Sequence, residues 1–330
     1  MTFERPSVTC YRSALHATLV LAACALVSPV LAQTYPTKPI TFVVPFAAGS
    51  ATDQLARALG NSITQETKQA VIVDNRAGAS GALAAQAVAR AAADGYTVLI
   101  TTNTTHAANE HLYKKLPYDP VKDFAPVTGL GKGGQVLVVK TDSPFKSVAD
   151  LVAKAKKEPG KLTFGSGSSS SRVAGEMLKQ LTHADILHVP YKSNPLAITD
   201  LLGGQIDFMI TDAATGVPQI KGGKLRALGV STTHRNAMLP DVPTIDETGI
   251  KGYDMGYWFA AYVPAATPAP LVSRLRDLLV AGTKNAAAKS FYDSTGSDPW
   301  TTSPDELAKF QLAESQKWGK VIKAAGIEPE

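Results

Sequence analysis

The chain has 330 residues, 45% of them hydrophobic and 18% charged, with a formal net charge of +5. That length is enough to bury a large core, and the even mix of charge and apolar residues excludes a disordered or fibrous chain. Lys and Arg are not gathered into runs interleaved with aromatics, which excludes the footprint of a nucleic-acid binder and leaves a weak positive excess suited to an anionic solute.

The N-terminus is read first. Residues 1–12 are polar and carry Arg5 and Arg12 against Glu4; an apolar run from Ala14 to Leu31 follows and ends in Val30-Leu31-Ala32 before Gln33. A basic start, an apolar middle and a small-residue cleavage site predict a secretory signal peptide over residues 1–32, cut near Ala32, and therefore a periplasmic protein. The strongest apolar stretch, Ala17 to Val27, is short for a membrane span, and Pro29 follows it. Leu21-Ala22-Ala23-Cys24 also resembles a lipoprotein box; the apolar sequence that continues past Cys24 favours cleavage at Ala32 over lipid anchoring at Cys24. Cys10 and Cys24 are the chain's two cysteines. Both lie in the leader, so the rest of the chain offers no disulfide, thiolate nucleophile or cysteine metal site.

Beyond the leader, short apolar runs alternate with helical patterns. Ile40–Val44, Val71–Val73, Thr97–Thr101, Val136–Val139, Leu162–Phe164, Ile186–Tyr191, Phe208–Thr211, Leu225–Val230 and Trp258–Val263 read as strands. Several are continuously apolar, as strands covered on both faces are. Leu55, Leu59 and Ile63 mark one face of a helix from Asp53 to Lys68. Ser147 with Asp150, and Ser303-Pro304 with Glu306, are helix-start signatures; Gly160 and Gly326 close the helices that follow. Leu271, Leu275, Leu278 and Leu279 mark another helical face. The alternation predicts an α/β fold with mostly parallel sheets. Glycine-rich Gly131–Gly134 and Gly252–Gly256 are the candidate crossings between two lobes.

Two loops stand out chemically. Pro45-Phe46-Ala47-Ala48-Gly49-Ser50-Ala51-Thr52-Asp53 follows the first strand and opens the first helix. Its small residues let backbone N–H groups approach a ligand, and the positive end of the helix dipole favours an anion; the plainer reading is a strand–helix turn capped by Ser50 or Thr52. Gly165-Ser166-Gly167-Ser168-Ser169-Ser170-Ser171-Arg172 is a second such loop, rich in hydroxyl donors, with Arg172 a fork-shaped partner for a carboxylate. Its plainer reading is a polar surface loop. His106 and Asp212 each follow a strand, where ligand crevices of α/β sheets lie; a cap is the competing role for His106, and Asp212 is expected to order donors or meet a ligand amine or hydroxyl.

Enzyme and metal signatures fail on spacing. Gly129-Leu130-Gly131-Lys132-Gly133-Gly134 matches a dinucleotide fingerprint in letters but precedes a strand instead of opening a helix. The serine stretches do not form a nucleophile elbow. His106 and His111, like His183 and His188, are five apart, off a common helical face. No catalytic residue, metal or cofactor is assigned. A periplasmic ester or amide hydrolase using a serine near Ser168 with His106 or His188 is the alternative reading.

Tyr35-Pro36-Thr37-Lys38-Pro39-Ile40, Asp74-Asn75-Arg76-Ala77-Gly78, Asp94-Gly95-Tyr96-Thr97, Val189-Pro190-Tyr191-Lys192, Gly203-Gly204-Gln205-Ile206-Asp207 and Leu239-Pro240-Asp241-Val242-Pro243-Thr244 together resemble the Bug family, the solute receptors of tripartite tricarboxylate transporters. The resemblance implies a type II periplasmic binding protein, a two-lobed Venus flytrap with a central cleft: residues 33–132 with 255–330 in one lobe, 133–254 in the other. It implies a small carboxylated solute, integral membrane transporter subunits as partners, and a monomer; a receptor feeding a membrane sensor kinase would use the same fold. It also implies that the loop matching Ala47–Thr52 holds one carboxylate and the loop matching Ser166–Arg172 the other end. The expected ligand-binding set is Phe46, Ala48, Gly49, Ser50, Thr52, Thr104, His106, Ser166, Ser168, Ser169, Ser170, Arg172, Tyr191 and Asp212. Relatives commonly have His where Arg172 stands, and prolines or glycines where Ala47, Ala48 and Ser50 stand. The Arg points to a second carboxylate, and the narrow first loop to a flat acid, an aromatic dicarboxylate such as terephthalate.

Overall fold

The computed structural model describes residues 1–3 and 35–330. The predicted leader, with Cys24 and the cleavage point at Ala32, lies outside the described residues. Lys38–Glu330 forms one unit, to which everything below belongs; Met1–Thr37 is a separate one.

Strand β1 (Ile40–Val44) is buried along its length, as its unbroken apolar run requires. It pairs in parallel with β2 (Val71–Asn75) and β3 (Thr97–Thr102). Between β1 and β2 runs α1 (Ala51–Thr67), capped by Ser50 and ended by Lys68 in the left-handed region. Its Leu55, Leu59 and Ile63 are at most 1% exposed; each such burial is worth about 1.5–3 kcal/mol. Helix α2 (Ala82–Ala89) leads to β3, a single π-helical segment (Thr104–Ala108) follows β3, and α3 (Asn109–Leu112) continues it.

Strand β4 is the longest in the molecule, Phe124–Lys140. Its first part pairs antiparallel with β9 (Gly256–Pro264), from Phe124↔Pro264 to Gly134↔Gly256. Its second part pairs antiparallel with β7 (Phe208–Asp212) and β8 (Leu225–Val230). One strand thus belongs to two sheets. The first runs β2-β1-β3-β9-β4; in the second, β4 and β7 are followed by β5 (Thr163–Ser166) and β6 (Leu187–Pro190). The connecting helices are α4 (Val148–Lys157), α5 (Ser169–Thr182), α6 (Asn194–Leu202) and α7 (Ala213–Lys221). After β9 come α8 (Ala269–Gly282), α9 (Ala286–Thr295) and α10 (Pro304–Ala324). Both predicted capping boxes are formed, Ser147 with Asp150 and Ser303 with Glu306.

Two expectations are corrected. The sheets are mixed, because β3–β9, β4–β9, β4–β7 and β4–β8 are antiparallel. A chain that leaves the first sheet along β4 and returns along β9 lays the two strands side by side in opposite directions. The Gly129–Gly134 stretch does not precede a strand; it lies inside β4. The glycines are there because neighbours press on the backbone. A Cβ on Gly129 would stand 2.4 Å from the Trp300 ring, and one on Gly133 2.5 Å from the Tyr257 hydroxyl. The second part of β4 alternates between two cores: Leu137 and Val139 face one, Val136 and Val138 the other. Both faces are covered, which is why only this part reads as an apolar run.

Gly129→Ala is expected to lose about 1–3 kcal/mol in urea unfolding, since both the ring and the carbonyl of Trp300 would have to yield. Gly256→Ala meets only the Gly133 carbonyl, at 3.4 Å, and should change stability far less. Equal losses at the two positions would mean that crowding by Trp300 is not what selects glycine.

Candidate functional site

A narrow pocket opens where the two sheets meet. It is lined by Phe46, Ser50, Ala51 and Thr52 from the β1–α1 turn, Thr102 at the end of β3, and Gln135 at the changeover in β4. Gly167, Ser168 and Ser170 come from the start of α5, Asn194 from the start of α6, Asp212 from the end of β7, and Tyr257 and Phe259 from β9. Its free space is small, about 30 Å³.

The first wall is set by Asp53. Its carboxylate is buried and accepts the Gly49 N–H at 2.9 Å, the Asn75 Nδ2 at 3.0 Å and the Arg57 Nε at 3.1 Å. Asn75 also donates to the Phe46 carbonyl at 2.9 Å. The turn is thereby pinned from behind. Gly49 sits at φ +81° with open space around it, so the backbone conformation, not crowding, calls for glycine there. Ser50 caps α1 by accepting the Asp53 N–H at 3.3 Å. The N–H groups of Ala51 and Thr52 have no intrahelical acceptor, and both residues line the pocket.

The opposite wall repeats the design. Ser168 caps α5 by accepting the Ser171 N–H at 3.2 Å, leaving the N–H groups of Ser169 and Ser170 without helical acceptors. Gly167 donates to Asn194 Oδ1 at 3.0 Å, and Asn194 Nδ2 donates to Asp212 Oδ2 at 2.7 Å. Asp212 Oδ1 accepts both the N–H and the hydroxyl of Thr215, capping α7. Asp212 therefore orders donors. A Cβ on Gly167 would fall 1.9 Å from the Ser193 backbone, so no other residue fits. Gln135 Nε2 donates to the Ser170 carbonyl at 3.3 Å. Burial, with the Asp212 charge second, raises the Tyr257 hydroxyl far above its usual range, so it remains a neutral donor.

The N-termini of α1, α5, α6 and α7 converge on this space, and no Lys, Arg or His lines it. Such a site offers dipoles and hydroxyls, which suit a carboxylate without a counter-cation.

Of the expected residues, the structure brings Phe46, Ser50, Thr52, Ser168, Ser170 and Asp212 together in the pocket. Ala48 and Gly49 are exposed on the outer side of their turn. Thr104 and Ser169 join the walls instead of lining them: Thr104 Oγ1 meets Ser170 Oγ at 3.4 Å, and Ser169 Oγ donates to Asn109 Oδ1 at 2.6 Å. His106 is fully buried, stacked on Tyr262 at 3.8 Å and bonded through Nδ1 to Thr105 at 2.8 Å. Burial pushes it down to about 3, so it is a neutral core residue away from the crevice. Ser166, Arg172 and Tyr191 line a neighbouring cavity: Ser166 pairs with His188 at 2.7 Å, Tyr191 donates to Asp200 at 2.8 Å, and Arg172 pairs with Glu330 at 2.7 Å. Sequence reasoning missed Thr102, Gln135, Asn194, Tyr257 and Phe259. The one available signal was Gln135, a polar residue between glycines and an apolar run.

A wider groove of about 530 Å³ lies beside Lys132, Trp258 and Glu314. There Lys132 sits 4.0 Å over Trp300, and the indole of Trp258 donates to Glu314 at 3.1 Å. Among the described residues no group of three or more His, Cys, Asp or Glu is placed to hold a metal ion.

An α/β fold of two sheets sharing one strand, with helix N-termini meeting at their join, defines a periplasmic solute-binding protein. Residues 55–327 match the family described as the tripartite tricarboxylate transporter family receptor, and the chain belongs to that family. It is 32% identical to the protein BugT of Bordetella pertussis, over 94% of this chain and 96% of that one. The R. palustris protein Rpa4515, solved with adipate, superposes with a TM-score of 0.86 at 35% identity, covering 90% of this chain and 100% of that one. MatC of Rhodopseudomonas palustris, solved with bound malate, gives 0.83 at 29% identity, covering 87% and 100%.

The Asp53 clamp is testable through pH. Burial raises its pKa, but hydrogen bonds from Arg57, Gly49 and Asn75 together hold it below the ordinary value of 3.8. Its contribution is present above that value and is lost as pH falls through the folded pKa. Asp53→Asn should lose about 1–3 kcal/mol at pH 7, with the gap to wild type closing as the pH of the denaturation series is lowered past the aspartate range. A gap independent of pH would assign the loss to packing instead of charge.

Proposed function

We propose that this receptor captures a small carboxylate in the pocket between the β1–α1 turn and the α5 start and hands it, unchanged, to the membrane subunits of a tripartite tricarboxylate transporter. The observation that carries the reading is the convergence of α1, α5, α6 and α7 N-termini on a space lined by neutral donors and by Asp212, whose oxygens are taken up by Asn194 and Thr215. The adipate and malate held by relatives agree with it. Phe46, Tyr257 and Phe259 supply flat apolar walls, which support a flat acid; an aromatic dicarboxylate such as terephthalate is the specific candidate.

With about 30 Å³ of free space, the pocket admits such a solute only when its walls part. The proposed motion is between a lobe of residues 33–132 with 255–330 and a lobe of residues 133–254, hinged where Gly134 pairs with Gly256. Ligand contacts to both walls then favour the closed arrangement. With the predicted signal peptide, the proposed cycle runs in the periplasm.

The Ser166–His188 contact is the feature nearest to a nucleophile–base pair. Burial first, then the charges of Arg172 and Lys179, push His188 down to about 4, which makes it a poor base at neutral pH. His106 bonds Thr105, not a serine of the 166–171 loop. The receptor reading therefore stands above hydrolysis.

Thermal unfolding of the protein spanning residues 33–330, against mono-, di- and tricarboxylates and amino acids, tests it. A true ligand at a hundred times its Kd adds about 2.7 kcal/mol and is recovered unchanged. A shift by an aromatic diacid alone supports the specific candidate; a shift by another carboxylate keeps the receptor and replaces the ligand. No shift by any carboxylate overturns the proposal.

A further inference from the structure

Arg172 lies one turn into α5, just past the serines that line the pocket. It belongs to a separate cavity of about 120 Å³ whose walls include Ser80, Tyr113, Ser168, His188 and Glu330. Ser168 lines both spaces, so the two adjoin at the start of α5. Within this cavity Arg172 is the cation, because His188 is neutral at ordinary pH. Its Nη1 donates to Glu330 Oε1 at 2.7 Å. Its Nε is buried and has no acceptor.

Glu330 reaches Arg172 from the other sheet's side of the molecule. Its main chain is anchored there: its N–H donates to the Leu112 carbonyl at 3.0 Å, and its carbonyl accepts the Lys114 N–H at 2.9 Å. Its side chain is 59% exposed, against 20% for Arg172. The carboxylate can therefore swing into water without moving the backbone, and an exposed ion pair of this kind is weak. An incoming carboxylate would find the vacated Nη1 or, on the adjacent edge, the unused Nε together with Nη2, the side-on fork that Arg presents to a bidentate partner.

We propose that Glu330 is a specificity-determining residue: an internal carboxylate that occupies Arg172 and competes with the far acid group of a solute seated in the central pocket. A diacid that reaches past Ser168 displaces Glu330, so its second acid group gains the Arg172 contact less the cost of the pair it breaks; an acid carrying one carboxylate neither gains that contact nor bears that cost. The proposal rests on the carboxylate-receptor reading and adds to it a built-in competitor for the second charge.

Calorimetric titration with matched acids, hexanoate against adipate and benzoate against terephthalate, tests this on wild type, E330Q, R172Q and the double variant. E330Q should tighten the diacid of a pair roughly fivefold, the equivalent of a weak ion pair removed, and leave the monoacid unchanged. In the R172Q background, E330Q should have no further effect. E330Q that shifts both members of a pair equally, or gives no diacid a gain, overturns the proposal while the receptor reading stands. Failure of every acid to bind wild type and variants alike overturns both. Because Glu330 is exposed, E330Q itself should fold as wild type does, which thermal unfolding without ligand checks.

Discussion

The antiparallel ladder between β4 and β9 is the constraint on which the rest of the molecule depends. It joins the sheets, and its register sets the floor of the pocket. Gly131 pairs with Phe259 and Gly133 with Tyr257. A side chain at Gly133 would occupy the place of the Tyr257 hydroxyl. Glycine on one strand thus makes space for the rings of the other, and those rings become the apolar part of the binding surface. The same ladder brings the two glycine-rich stretches together at Gly134 and Gly256, the pair at which the proposed motion is hinged.

Around that floor, charge is used indirectly. Asp53 and Asp212 are the acids nearest the pocket, and each is fully engaged in holding donors: Asp53 the Gly49 N–H and Asn75, Asp212 the amide of Asn194 and the start of α7. A buried carboxylate surrounded by donors is stable only while all of them are in place, so each acid fixes the geometry of its wall. In the proposed binding mode the solute meets N–H groups, hydroxyls and helix dipoles. Without a lysine or arginine in the pocket, discrimination falls to shape and to the number of acid groups.

Much of this was legible in the sequence because it is local. A small-residue turn between an apolar strand and a Ser-capped helix is readable from adjacent letters, and so are the capping boxes of α4 and α10. The first part of β4 was not readable as a strand, because its glycines answer to Trp300, Tyr292 and Tyr257, residues far along the chain. Asn194 and Gln135 were missed for the same reason: their partners, Gly167 and Ser170, are brought to them by the sheet. His106 shows the opposite failure. Its place after a strand suggested the crevice, but Tyr262 and Phe124 enclose its ring, and no local pattern distinguishes a stacked core imidazole from an exposed one. Arg172 was read as the partner of a solute carboxylate; the carboxylate it meets in this structure belongs to Glu330, 158 positions away.

The serine run at the start of α5 explains how capture can be coupled to the approach of the sheets. Its side chains and backbone do different work. Ser169 and Ser170 direct their hydroxyls to Asn109 and Thr104 of the first sheet's segment, while the helix geometry leaves their N–H groups without helical acceptors beside the pocket. An anion that engages those N–H groups draws on the helix start in the position where the hydroxyls also find their partners. Each set of bonds then lowers the entropy cost of forming the other. Alanine or glycine in this run would keep the N–H donors but remove the hydroxyl links, and with them the dependence of closure on ligand. The four serines thus divide the work: Ser169 and Ser170 reach the neighbouring wall, Ser168 caps the helix, and Ser171 donates to the Ile210 carbonyl.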